Sequence, residues 1–211
     1  LIIRHLQGDA FFNGTFMNRN PTSMAQAIGV GIFLMGLVSC APSFNWREVR
    51  VEGDELTYLL PCKPGMVQKD VDWGAGAQAL TLQGCEVQGV QFTLAWLTLP
   101  PKSDPQVIER LWQRASWASL NGSKQALSES ALFPTPQAPG VKLAATLGSA
   151  AYFEGKGESG LQVHWAWFTK GDKLYQAGVY HAPQESTKAA QNGGLSQAQK
   201  DALETYFESF H

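Results

Sequence analysis

The chain of 211 residues carries 16 Lys+Arg against 18 Asp+Glu, a formal net charge of −2, with 44% apolar and 16% charged residues. That is the composition of an ordinary folded globule and excludes disorder over most of its length. The basic residues from Arg47 to Lys200 are interleaved with acids rather than gathered in one stretch, so a nucleic-acid backbone is not an expected partner.

The chain begins at Leu1, and Met17 is the better internal start because it opens an n-region, MNRNPTS, with a positive charge at Arg19. Residues 1–16 are therefore expected to lie outside the native protein. The run from Ala27 to Val38, AIGVGIFLMGLV, is uncharged and 12 residues long. It suffices for a signal-peptide core but falls short of the roughly 20 residues a spanning helix needs. The run closes on Leu37-Val38-Ser39-Cys40, which resembles the lipobox of bacterial lipoproteins. The resemblance implies that residues 17–39 are removed as a signal peptide and that Cys40 receives a diacylglyceryl thioether and then a further acyl chain. The protein would then stand outside the cytoplasm, held to a bacterial membrane by lipid, with two or more chains needed for stable anchoring. Ala41 rather than Asp after the modified cysteine leans towards the outer membrane. Losing Arg4, Arg19 and Asp9 with the leader takes the 16 basic and 18 acidic residues to 14 and 17, a mature net charge of about −3.

Residues 40–45 read as a lipidated tether, and 46–211 as one globular domain. Trp46 to Val51 and Leu56 to Leu60 flank Glu52-Gly53-Asp54 as a hairpin, and Pro61 and Pro64 stop the second strand. Cys62 and Cys85 are the two cysteines beyond the anchor, an even pair in a compartment that permits oxidation, which predicts a disulfide. A redox site would favour a C-x-x-C pair, and a zinc site would need further ligands at matching spacing. Gln78 to Val87 and Val90 to Leu99 predict a second antiparallel pair turning near Gln88-Gly89.

Ser103 or Asp104 caps a helix with Pro105 in its first turn, its inner side marked by Ile108, Leu111, Trp112, Ala115 and Ser119, and Asn121-Gly122 ends it. Residues 123–140 read as a surface loop. Strands are expected at Val141–Leu147, Ala151–Lys156, Leu161–Lys170 and Asp172–His181. In the third of these, Leu161, Val163, Trp165 and Trp167 form the buried face, while Gln162, His164, Ala166, Phe168 and Lys170 form the wetter one. After a polar loop from Ala182 to Gly194, Ser196 and Gln199 make a capping box for a terminal helix with an inner stripe of Leu203, Tyr206, Phe207 and Phe210.

This order predicts an α+β fold, an antiparallel sheet of six to eight strands with helices packed on it. The LLPCKP element at Leu59–Pro64 and the terminal DALETYFESF helix resemble the PsbP-like domains. That resemblance implies an α-β-α sandwich in proteins that act mostly as binding or assembly factors rather than enzymes. Cys62 and Cys85 depart from its pattern, and no metal-site motif carries over.

Chemistry-bearing residues are sparse. No H-E-x-x-H, G-x-S-x-G, P-loop or G-x-G-x-x-G pattern occurs, so neither a metal site nor a cofactor is expected from motifs. His164 and His181, on strands turning near Gly171, come close if those strands pair, and with Glu154 or Glu158 they would make an acid–base or metal cluster. Trp73, in VDWGAGAQ, is either a contact point for a partner or a loop aromatic folded back on the sheet. The leading expectation is a non-catalytic envelope protein that binds another protein or a small ligand. Its rivals are a hydrolase built on His164 and His181, and a carrier with a pocket between sheet and helix.

Overall fold

The computed structural model describes residues 44–74, 76–121, 151–157, 159–182 and 195–211. The expected leader at 17–39, Cys40, Glu158, the expected loop at 123–140, all but Ala182 of the expected loop from Ala182 to Gly194, and the expected strand Val141–Leu147 lie outside the described residues.

Two short strands, β1 (Arg47–Arg50) and β2 (Thr57–Leu60), form an antiparallel hairpin with Arg47 opposite Leu60. Six more strands follow: β3 (Gly65–Val71), β4 (Gln78–Val87), β5 (Val90–Thr98), β6 (Ala151–Lys156), β7 (Gln162–Lys170) and β8 (Lys173–His181). They make one sheet in the order β3-β4-β5-β8-β7-β6, each neighbour antiparallel. Helix α1 (Pro105–Asn121) links β5 to the second half of the sheet, and α2 (Gln197–Glu208) ends the fold. The fold class is α+β with an antiparallel sheet. Among the described residues no helix is long and apolar enough to cross a membrane.

Local chemistry sets the turns. Gln88 and Gly89 both take positive φ, 53° and 71°, the two-residue turn whose twist matches a hairpin, and it joins Val87 to Val90. The Asp104 carboxylate accepts the Gln106 N–H at 2.9 Å and caps α1, with Pro105 at the first helical position where no donor is missed. Ser196 and Gln199 complete their capping box at the start of α2, and Gln199 Nε2 also donates to Gln88 O at 3.1 Å, seating the helix on the β4–β5 turn.

The sheet is buried on both sides. One face, Val90, Phe92, Leu94, Trp96, Ala166, Phe168, Tyr175, Ala177 and Val179, packs under the hairpin and the Leu203, Tyr206, Phe207 stripe of α2. The other face, Ala95, Leu97, Val163, Trp165, Trp167, Leu174 and Tyr180, packs under Ile108 and Trp112 of α1. The wetter face expected for β7 is thus corrected: His164, Ala166 and Phe168 are all buried, Ala166 and Phe168 in the cluster shared with α2 and the hairpin, which the mixed polarity of QVHWAWFTK does not announce. Strand β3 is an element for which the sequence raises no expectation. The prolines end β2, yet Gly65–Val71 resumes as an edge strand paired with β4 from Gly65 opposite Gly84 to Val71 opposite Gln78. An edge strand with exposed polar residues needs no apolar alternation, so its signal is weak. Phe210, placed by periodicity on the terminal helix, lies just beyond it and is fully buried.

The disulfide is present. Cys62, between β2 and β3, bonds to Cys85 on β4 with Cα atoms 5.9 Å apart, within the span that such a bridge requires. It ties the hairpin side of the molecule to the main sheet.

Candidate functional site

His164 on β7 and His181 on β8 are the best-defined pair of chemistry-bearing side chains. The register pairs His164 with Val179 and Gln162 with His181, so the two histidines sit diagonally across one ladder on the same face. Their Nε2 atoms are 3.4 Å apart, with ring centroids 5.6 Å apart and planes 17° from parallel. The rings therefore meet tip to tip. Both are buried, at 7% and 5% exposure.

Burial, followed by the neighbouring His181, pushes the His164 pKa down to about 4. Burial also lowers that of His181, opposed in part by a hydrogen bond to the Ala182 backbone. At neutral pH the pair is accordingly two uncharged imidazoles, able to pass one proton between them or to offer lone pairs. Glu154 on β6 stands directly opposite His164 on the same face, with its side chain in solvent. Three adjacent strands thus align one carboxylate and two imidazoles, although among the described residues no three His, Cys, Asp or Glu groups already converge as a metal cage.

Trp73 is half-buried and folds back: its ring stacks on Trp112 of α1, centroids 5.3 Å apart and planes at 20°. It caps the α1 face of the sheet rather than standing out from it. Four of the seven tryptophans, Trp96, Trp112, Trp165 and Trp167, are core residues, and the Trp165 indole N–H donates to Tyr180 Oη at 2.9 Å.

One polar cluster escapes sequence reasoning. Asp54, at the hairpin turn, accepts hydrogen bonds from the Tyr175 hydroxyl and, at 3.4 Å, from Lys173 Nζ, which also reaches Gly53 O at 3.1 Å. Burial alone would raise the Asp54 pKa, but the bonds from Tyr175, the backbone and Lys173 outweigh it and hold the carboxyl below its ordinary value. Asp54 carries a local signal only as a turn residue, since its partners lie 121 and 119 residues further along. This cluster pins the hairpin to β8. A shallow depression of about 430 Å³ beside it is lined by Arg50 to Glu55 alone, a single turn with no groups brought in from other elements.

No family model matches this chain, and comparisons with curated proteins and with solved structures return no match either.

Proposed function

We propose that this chain is a lipid-anchored protein of a bacterial envelope whose α+β domain works by binding, as an assembly or ligand-binding factor, rather than by hydrolysis. The observation that carries the reading is the Cys62–Cys85 bond downstream of the Leu37-Val38-Ser39-Cys40 junction. Structural disulfides persist where thiols are not kept reduced, and that is the compartment to which such a junction directs a chain. The burial of His164 and His181, at 7% and 5% exposure, favours binding over hydrolysis, because a hydrolase presents its imidazole to the substrate. One helix on each side of an antiparallel sheet is also the layering that a PsbP-like domain would have, which supports the same functional class.

The reading is tested in intact envelopes. Wild-type protein should fractionate with membranes and cross-link there to a discrete partner. Cys40→Ser should lose both lipid labelling and that cross-link. Membrane partition unchanged in Cys40→Ser would refute the anchor, and ester or peptide hydrolysis by the purified protein that vanishes in His164→Ala would replace binding with catalysis.

A further inference from the structure

The two ends of the main sheet differ in what they expose. At one end lie the Gln88-Gly89 turn, His181 opposite Val90, and Lys156 opposite Gln162. At the other, Thr98 pairs with Lys173 beside the Gly171 turn, and Lys173 reaches Asp54 of the hairpin. From Val90 to Thr98 the sheet runs about 27 Å, at roughly 3.4 Å per residue. The chain enters the domain at the first end: Asn45 N donates to Pro61 O at 2.8 Å, just before Arg47 pairs with Leu60, and Cys62 bonds to the strand that leads into Gln88. Among the described residues, the apolar side chains left half-buried around the hairpin-side core are Phe44, Trp46, Cys62, Val87 and Leu195. All five stand at this end, Leu195 beside the α2 cap that Gln199 seats on Gln88. The Phe44 and Trp46 rings lie 6.3 Å apart, and Arg47, Lys63 and Lys156 are exposed at the same end, with Glu86 as the nearby acid. Aromatic rings seat at the headgroup level of a bilayer, and basic side chains are drawn to its anionic lipids.

From this arrangement we infer that the Gln88 end of the sheet is a membrane-docking surface, which stands on anionic phospholipid headgroups and directs Asp54 and Asp172 away from them. The inference rests on the proposed lipid at Cys40, because the length of chain between lipid and domain limits which surface can serve. Cys40 to Phe44 is four residue steps and spans at most about 14 Å. That is half the length of the sheet, so the anchor holds the Phe44 end at the headgroups and leaves the domain either to stand on that end or to lie on its side. The hairpin that carries Phe44 shares its face of the sheet with α2, so lying down would set α2 on the bilayer. The outward side of α2 exposes Asp201, Glu204 and Glu208, which anionic headgroups repel. Standing on the apolar, basic rim satisfies both the tether and the charge.

The test uses the whole mature protein, extracted from envelopes and reconstituted into vesicles of phosphatidylethanolamine and phosphatidylglycerol that carry a nitroxide quencher on the headgroup. Gln88→Cys and Asp172→Cys each add one free thiol for a fluorophore, since lipid occupies Cys40 and Cys62 is bonded to Cys85. Glu86→Cys, exposed at the same end, replaces Gln88→Cys if the turn does not tolerate the label. The label at the Gln88 end should be quenched several-fold more strongly than the one at Asp172. Arg47→Glu combined with Lys63→Glu, or raised salt, should narrow that difference, because headgroup attraction is screened and reversed with charge. Equal quenching at the two ends, in protein whose intact mass shows lipid on Cys40, would overturn this inference and leave the anchor standing. An unlipidated Cys40 would remove both. Quenching at the Gln88 end that follows the density of protein in the vesicle rather than that of nitroxide lipid would assign the rim to a second copy of the chain and overturn the inference as well.

Discussion

Cys62 and Cys85 are joined across 5.9 Å between Cα atoms, a covalent tie from the end of the β1–β2 hairpin to the fourth strand, beside the packing and hydrogen bonds that hold the hairpin elsewhere. The bond closes a loop of 22 intervening residues, which restricts the unfolded chain by about 3 to 3.5 kcal/mol on the loop-entropy estimate. Cys62→Ser should accordingly lower unfolding free energy by about 2 to 4 kcal/mol in denaturant titration. Protein taken from cells should gain mass on alkylation only after reduction. Alkylation of both thiols without reductant would remove the bond from the account.

Tyr58 of β2 lies flat against Phe210, centroids 5.3 Å apart and planes at 10°, and Phe210 also contacts Phe168 and Tyr206. The residue after it, His211, exchanges two backbone hydrogen bonds with Thr57, so the segment following α2 is stitched along the hairpin. Phe210→Ala should cost about 3 to 5 kcal/mol, the range for emptying a buried aromatic site. A thermal melt within a degree of wild type would show that the segment contributes little.

Asp54 makes the hairpin clamp sensitive to acid. Its folded pKa is below the ordinary value of 3.8, so the stability it supplies is present above that value and is lost as pH falls through the folded pKa. Asp54→Asn should be less stable than wild type at pH 7 and should converge with it as pH falls below 3.8, because only the wild type then gives up a charge. Tyr175→Phe should remove part of the same difference, about 1 to 3 kcal/mol for a bond to a charged acceptor. Parallel pH profiles for wild type and Asp54→Asn would contradict the assignment.

Gly84 is fixed by close approach rather than by a turn. A Cβ there would stand 2.4 Å from Phe92 O and 3.1 Å from Thr93 Cα, both backbone atoms that the β4–β5 ladder holds in place. Gly84→Ala should destabilise the protein by about 1 to 3 kcal/mol, as overpacking does, although alanine is the better strand residue. An alanine variant of wild-type stability in urea would show that the ladder can shift.

Much of this architecture was legible in sequence because it is local. The Gln88-Gly89 turn, the Asp104 and Ser196 caps and the alternation along β5 each sit within a few residues of their own signal. Strand β3 was not legible, since an exposed edge strand carries little apolar pattern and Pro64 stands just before it. The burial of Ala166 and Phe168 rests on packing with α2 and the hairpin, which are distant in the chain, and no window along β7 contains that information. Closeness of His164 to His181 followed from the Gly171 turn, whereas the alignment of their Nε2 atoms depends on ring orientation, which spacing does not encode. Asp54, Lys173 and Tyr175 meet only through tertiary folding.

The proposed anchoring of this disulfide-braced domain to a membrane by lipid on Cys40 is tested most directly by intact mass measurement of the protein extracted from envelopes in detergent. The account predicts a chain that begins at Cys40, carries the added mass of a diacylglyceryl group and a further acyl chain, and is two hydrogens lighter than its reduced form because of the Cys62–Cys85 bond. A mature chain that starts elsewhere, or an unmodified Cys40, would contradict it.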